Sequence, residues 1–246
     1  MAESVPFDRV ADSYDATRGG ERRGREFAAL VAPHFAPGVT LEVGVGTGLV
    51  AEALRRRHGC DTLGVDLSPA MLARAHKRLG GRVAVGDARR LPVRDDSVDN
   101  VVIVGALHVI VDIAATFAEA ARVVRIGGRV VTISASPARE TESEIDAMLA
   151  QLPGRRIDTP EAVAAAATAA GLRTVASTPV AVGSIAESPN NLAQIIEARA
   201  WSNLWNVDGA VWASTVMPVV ERLRALPDPD DNRDRRLTFQ LSVFAH

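Results

Sequence analysis

The segment Leu41-Glu42-Val43-Gly44-Val45-Gly46-Thr47-Gly48 constrains this chain most, because it sets three alternating glycines between a strand-like apolar run and a helix-like one. Glycine there lets the backbone turn sharply and approach a ligand closely, with the amide-rich start of a helix behind it. The spacing is G-x-G-x-G, not the G-x-G-x-x-G of pyrophosphate-binding dinucleotide folds. Such a turn is equally compatible with a plain strand-to-helix connection, so the flanking pattern has to decide.

That pattern is a run of βα units. Val39–Val45 reads as a buried strand and Leu49–His58 as the helix after it. Asp61–Asp66 is a second strand, and Ser68-Pro69 caps and opens a helix to about Leu79. Arg82–Gly86 is a third strand, and the largely β-branched Val98–Val104 a fourth, buried on both faces. Asp112 caps a helix with Ile113, Phe117, Ala121 and Val124 on one face; Gly127-Gly128 is expected to end it before a fifth strand, Arg129–Ser134. Thr159-Pro160-Glu161 opens an Ala-rich helix closed by Gly171, and a strand follows from about Leu172 to Val182. Leu237, Phe239, Leu241 and Val243 alternate with polar residues, as in a half-buried antiparallel strand at or near a sheet edge. Before it lies a helical stretch holding Trp201, Trp205 and Trp212, in which Pro218 should break or kink the last helix.

Alternating short strands and helices predict an α/β fold, a doubly wound Rossmann-like seven-stranded sheet with the last strand antiparallel. A chain of 246 residues is within reach of one such domain, 1–246, with N-terminal lid helices over 1–36 and a helical cap from 137–158 and 184–234. At 47% hydrophobic and 24% charged residues, the chain can bury its own core without staples. Its single cysteine, Cys60, excludes an internal disulfide and a cysteine-built zinc site.

Two acids fall where the crevice of such a sheet would be. Asp66 ends the second strand twenty residues beyond Gly46, where doubly wound folds set a carboxylate against a ribose diol. Asp87 ends the third strand, one position along. Both also read as ordinary strand-end carboxylates that cap a helix or turn. Arg22-Arg23 and Arg55-Arg56-Arg57 read as solvated helix faces.

Together these residues resemble the class I S-adenosylmethionine-dependent methyltransferases, in particular the small-molecule group related to the quinone C-methyltransferases. Gly44, Gly46 and Gly48 match the family's first motif, with Glu42 as its acid. Asp66 in Gly-Val-Asp-Leu-Ser-Pro-Ala-Met-Leu matches the ribose-binding motif, and Gly86-Asp87-Ala88 with Leu91-Pro92 matches the adenine segment. Asp99 matches the acid of the fourth strand, and Ala121–Val131 the helix-glycine-strand segment. Residues 7–15, Phe-Asp-Arg-Val-Ala-Asp-Ser-Tyr-Asp, resemble the family's N-terminal lid. The likeness spans about residues 5–182. It implies S-adenosyl-L-methionine as cofactor, held by Glu42, Gly44, Gly46, Gly48, Asp66, Leu67, Met71, Asp87, Ala88 and Val104. Tyr14 and Arg18 would close over its methionine end, although Tyr14 also reads as a docking residue for the N-terminal segment. Arg125-Ile126 replaces the usual Lys-Pro before the paired glycines. The fourth strand runs into Gly105-Ala106-Leu107-His108, without the Asn/Asp-Pro-Pro-aromatic signature of enzymes that methylate amide or base nitrogens.

Methyl transfer from a sulfonium is an in-line displacement in which the protein mainly aligns and desolvates the acceptor. The expected function is transfer to a small organic acceptor at oxygen or carbon. His108, just past the fourth strand, is the candidate base; packing or capping is its plainer role. Trp201 and Trp205, four apart and expected on one helical face, are candidates for an acceptor pocket, with core packing the alternative. No His/Asp/Glu spacing suits a metal, so none is expected. A net charge of −2 gives no case for nucleic acid or an anionic membrane, and no apolar run reaches a membrane span. A cytoplasmic monomer or homodimer is the expectation. A non-methylating or non-catalytic S-adenosylmethionine-binding protein stands as the alternative, and a nicotinamide-dependent oxidoreductase is disfavoured by the glycine spacing.

Overall fold

The computed structural model describes residues 5–135, 143–154 and 157–246; the other parts of the expected lid and cap lie outside the described residues. In chain order the elements are α1 (Val5–Val10), α2 (Tyr14–Thr17), α3 (Gly20–Val31), β1 (Val39–Val43), α4 (Leu49–His58), β2 (Asp61–Asp66) and α5 (Pro69–Leu79). There follow β3 (Val83–Val85), β4 (Val98–Val104), α6 (Ile113–Val123), β5 (Val124–Ala135), α7 (Glu144–Leu149), α8 (Pro160–Ala169) and β6 (Arg173–Glu187). The chain ends with α9 (Pro189–Glu197), α10 (Gly209–Val211), α11 (Met217–Arg224) and β7 (Arg233–Ala245). These elements form two compact units, one of Met1–Pro137, Ile157–Val182 and Phe239–His246, the other of Ala138–Arg156 and Gly183–Thr238.

The first unit is built on the sheet, whose strand order is β3-β2-β1-β4-β5-β7-β6. Strands β1 to β5 pair in parallel, and β7 enters antiparallel to β5, with Val130 opposite Phe244. The order reverses between β1 and β4, which opens a crevice at their carboxyl ends, the usual ligand position in open α/β sheets. Both faces are covered. On one, Val101, Ile103, Val130 and Phe244 pack with Phe117, Ala120, Val163 and Ala167; Phe117 and Phe244 meet edge to face at 5.4 Å. On the other, Val102, Val131 and Leu241 pack with Phe27, Val31 and Leu54. Alternate residues of β4 therefore point to opposite cores, which is why that strand lacks a polar face.

The paired glycines depart from expectation. Helix α6 ends at Val123, and the buried Val124 already pairs with Val98, so Gly127 and Gly128 lie inside β5 at a register irregularity instead of ending the helix. A side chain on Gly128 would sit 2.4 Å from the Asp99 carbonyl oxygen, so the glycine serves close strand approach.

The second unit has its own core of Ile145, Leu149, Leu192, Ile196, Leu204, Val216, Val220 and Leu223. The helical run Gly209–Arg224 is continuous, with right-handed helical angles at Val211, Trp212, Val216 and Met217, but its α pattern is interrupted by a π-turn over Trp212–Val216 directly ahead of Pro218, the break the proline implies. Trp201 and Trp205 do not share a helical face: α9 stops at Glu197, Trp201 is extended, and the two flank a single 3₁₀ turn, Ser202–Leu204. Arg199 lies ahead of that turn, donating through Nη1 to the carbonyls of Leu204 and Val207 while its guanidinium lies 4.0 Å from the Trp212 ring centre.

Candidate cofactor site

The glycine loop follows β1 and enters α4 directly. A Cβ on Gly44 would approach the Ala106 Cβ to 2.6 Å, and its φ of +74° is one that side-chain-bearing residues rarely adopt. Gly46, at φ +55°, has no atom within 4 Å of where a Cβ would be, so its backbone faces open space. The Gly44 and Val45 amides donate to the Val65 carbonyl at 2.8 and 3.0 Å, tying the loop to β2. The Gly46 amide donates to Asp66 Oδ2 at 2.7 Å and the Ser68 amide to Oδ1 at 2.9 Å. Burial pushes the Asp66 carboxyl above its usual range, opposed by the Ser68, Gly46 and Leu67 amides.

Glu42, in β1 just before the loop, is 2% exposed, and its Oε2 has no hydrogen-bond partner. Burial pushes its pKa up to about 8; the Ala51 amide at the start of α4 opposes this and the Asp66 charge adds to it. Two acids of raised pKa thus belong to this region, Asp66 bonded to the Gly46 amide and Glu42 buried in β1 ahead of the loop.

The N-terminal helices dock on this crevice through regularly spaced acids. Asp8 accepts from the Ser68 hydroxyl and the Ala70 amide, Asp12 pairs with Arg74, and Asp15 accepts from Thr47 Oγ1 at 2.6 Å and Arg78 Nη2 at 2.8 Å. Arg78 Nη1 also donates to the Thr47 carbonyl, 2.7 Å away. Tyr14 follows the same segment in: burial pushes its phenol up, and the charges acting on it are those of Arg18, Arg23, Asp66 and Asp15. The Arg18 guanidinium lies 5.8 Å from the centre of the Tyr14 ring.

Residues 41–132 match the methyltransferase domain family. The chain is 39% identical over 130 residues to demethylmenaquinone methyltransferase of Mycobacterium marinum, covering 51% of this chain and 55% of that protein. It is 33% identical over 136 residues to the Thermobifida fusca enzyme of the same name, with 51% and 57% covered. The chain thus aligns with little more than half the length of these curated relatives. The fold is that of the methyltransferase-bearing complex of a Haloferax volcanii methyltransferase activator, with a TM-score of 0.62, 21% identity and all of both chains covered. It is also that of geranyl diphosphate C-methyltransferase from Streptomyces coelicolor, with a TM-score of 0.53, 20% identity, and 89% and 78% covered. The matched segment, residues 41–132, is similar to a methyltransferase domain, and the fold around it is shared with S-adenosylmethionine-dependent methyltransferases.

The other sequence-predicted positions lie at varied depths. Leu67, Ala88 and Val104 are half-buried at the ends of β2, β3 and β4. Met71 is fully buried, and its amide donates to the Ser68 cap. Asp87 is engaged by Arg89, which donates from Nη2 to Oδ2 at 2.6 Å and holds the carboxyl below its usual range. His108 is exposed on a 3₁₀ turn, Leu107–Val109, two residues after the Ala106 that touches the glycine loop. Trp201 and Trp205 belong to the second unit, and Trp201 packs against that unit's core. Asp99 lies at the opposite end of the sheet from the crevice, accepting from the Val39 amide at 2.7 Å and Arg125 at 2.9 Å, a structural role.

Sequence reading missed Thr47, Arg78 and the ladder of Asp8, Asp12 and Asp15. Their spacing of four and three residues along the N-terminal segment was the available signal. Arg23 is no solvated-face residue: it lies 5.1 Å from the ring centres of Phe27 and Phe239, and burial lowers its pKa. Among the described residues no helix is long and apolar enough to cross a membrane, and no three His, Cys, Asp or Glu side chains form a metal-ligand group.

Proposed function

We propose that this chain transfers a methyl group from S-adenosylmethionine to a small organic acceptor, at oxygen or carbon. The observation that carries the reading is the open Gly46 backbone beside Asp66, which two amides fix. That set fits the cofactor's chemistry, which combines a ribose diol with two cationic groups and one carboxylate. Each Asp66 oxygen keeps acceptor capacity for a ribose hydroxyl beyond its backbone bond. Tyr14 and Arg18 would cover the methionine end, with Arg18 as the partner for its carboxylate. When bound, the cofactor supplies a methyl group activated by the sulfonium, and a thioether as leaving group.

The chain's own part is alignment, exclusion of water and movement of one proton. We assign His108 as the group that takes the acceptor's proton or holds the acceptor in line. The similar fold named a C-methyltransferase, that of Streptomyces coelicolor, supports carbon as one of the two acceptor atoms.

Calorimetry with S-adenosylmethionine tests the reading. Asp66→Ala should cost about 1.5–3 kcal/mol of binding, because the ribose hydroxyls lose a charged acceptor. Binding of NADH with no response to S-adenosylmethionine would overturn it. His108→Ala should lower turnover by roughly 10²–10⁴-fold and flatten the pH profile. Unchanged kinetics in that variant would take His108 out of the site.

A further inference from the structure

Helix α3 carries three arginines, and two of them are paired on the helix itself: Arg22 with Glu26 at 2.8 Å and Arg25 with Glu21 at 3.3 Å. Arg23 is half-buried, and among the described residues its guanidinium donates no hydrogen bond and meets no carboxylate. Two phenyl rings fix it instead. The guanidinium lies 5.1 Å from the ring centres of both Phe27 and Phe239, which meet edge to face. Stacking of this kind holds the plane of the fork but uses none of its N–H donors. The residue stands at the crevice end of the sheet. Phe239 pairs with Ala135 at the carboxyl end of β5, and a Cβ on Gly24, the next residue of α3, would come within 2.9 Å of Leu49, which opens α4 behind the glycine loop. The charge of Arg23 acts on the Tyr14 phenol together with those of Arg18 and Asp66. The acids of this region are committed elsewhere, Asp15 to Arg78 and Thr47, and Asp66 to the Gly46 and Ser68 amides. A guanidinium that is oriented, partly desolvated and without an acceptor for its donors is an anion receptor.

We propose that Arg23 binds an oxyanion of the methyl acceptor, a carboxylate or a phosphate, and so selects anionic acceptors. The inference deepens the function proposed above and rests on it. The cofactor brings one carboxylate, which that reading gives to Arg18. Its other charges, the ammonium and the sulfonium, repel a guanidinium. The anion for Arg23 then comes with the second substrate. Binding forms charge-assisted hydrogen bonds from the parallel N–H donors of the fork to two oxygens, and no covalent bond changes. Because stacking on two rings keeps the fork from turning, the same contact sets the acceptor's orientation. A purely structural Arg23 would tie α3 to β7 and show no preference among ligands.

The test uses the full chain saturated with S-adenosylhomocysteine, so that the cofactor's own carboxylate is already in place. Benzoate, phenyl phosphate and the neutral isostere benzamide are then titrated by calorimetry. At least one anion should bind saturably and about tenfold or more tightly than benzamide, and the stronger of the two assigns the oxyanion as carboxylate or phosphate. Arg23→Gln should weaken that anion about tenfold or more and leave benzamide unchanged. Arg23→Lys, which keeps the charge and loses the fork, should fall between. Arg22→Gln, which removes a helix-surface pair, should alter neither ligand. Equal binding of anions and benzamide, no saturable binding of either anion, or anion affinity that survives Arg23→Gln overturns the proposal and leaves the cofactor reading standing. If Arg23→Gln instead loses affinity for S-adenosylhomocysteine and keeps it for the anion, the guanidinium serves the cofactor and the proposal also falls. Failure of the wild type to bind S-adenosylhomocysteine at all overturns both. If Arg23→Gln does not fold, the anion-to-benzamide ratio in the wild type and in Arg23→Lys decides the matter.

Discussion

In the second unit, Asp146 and Glu187 share the cation Arg235, at 2.6 and 3.3 Å, and Asp146 Oδ2 accepts from the Ser143 hydroxyl at 2.7 Å. In the first, Glu42 is buried as deeply beside a like charge, with one oxygen unpartnered. The Arg235 and Asp146 side chains are 4% and 10% exposed, so each unit carries a desolvated acid. A buried acid that comes with its own cation and hydrogen bonds is complete as it stands and holds local geometry. One without them costs folding free energy and is a candidate for a binding group. The difference separates an acid with a structural partner from one that has none of that kind.

The largest effect that would break this contrast is in the pH dependence of stability. Glu42 binds a proton in the folded chain up to about pH 8, and in the unfolded chain only to about pH 4.5. The folded state therefore holds more protons across that interval, and stability falls as pH rises through it, by on the order of 4–5 kcal/mol at most. Denaturant melts from pH 5 to 8 should show the decline, and Glu42→Gln should remove most of it, leaving the smaller part due to Asp66. Asp87, Asp99 and Glu119 act in another window: their lowered pKa values add stability above the ordinary carboxylate range, lost only as pH falls through their folded values. A flat wild-type profile from pH 5 to 8 would show that Glu42 is ionised without cost.

Next in size is Arg235. Arg235→Ala removes the buried cation that Asp146 and Glu187 share and should cost about 3–5 kcal/mol in a denaturant titration. Loss below about 1 kcal/mol would mean that water or another group takes over, and the contrast between the two acids would weaken. The smallest effect belongs to the docking ladder. The Asp12 side chain is largely exposed, so Asp12→Asn should cost only about 0.2–1 kcal/mol and lose its effect at high salt. A larger or salt-independent loss would place that contact among the buried pairs.

Much of the fold was legible because each local signal agreed with its neighbours. Leu49–His58, Asp61–Asp66 and Val98–Val104 match the elements found, and the Ser68, Asp112 and Thr159 side chains accept the cap bonds that their positions imply. The misses came where tertiary contact overrode a local rule. Gly127-Gly128 looked like a helix stop, yet the buried Val123 and Val124 draw the chain into the sheet first. The four-residue spacing of Trp201 and Trp205 suggested a helix, but Arg199, at φ +49°, turns the chain before it reaches them.

The sequence by itself determined the alternation of strands and helices, the glycine loop, and the placing of Glu42, Asp66 and Asp87 at strand ends, because periodicity, caps and turn chemistry act over a few residues. Which of those acids has a partner was decided only by the tertiary structure. Asp87 meets Arg89 two residues away, Asp66 takes amides from its own turn and from Gly46, and Glu42 is left with an unpartnered oxygen. The same holds for Arg235, whose partner Asp146 lies 89 residues distant in the chain. Desolvation and charge pairing depend on what packs around a side chain in three dimensions, and no spacing along the chain encodes that environment.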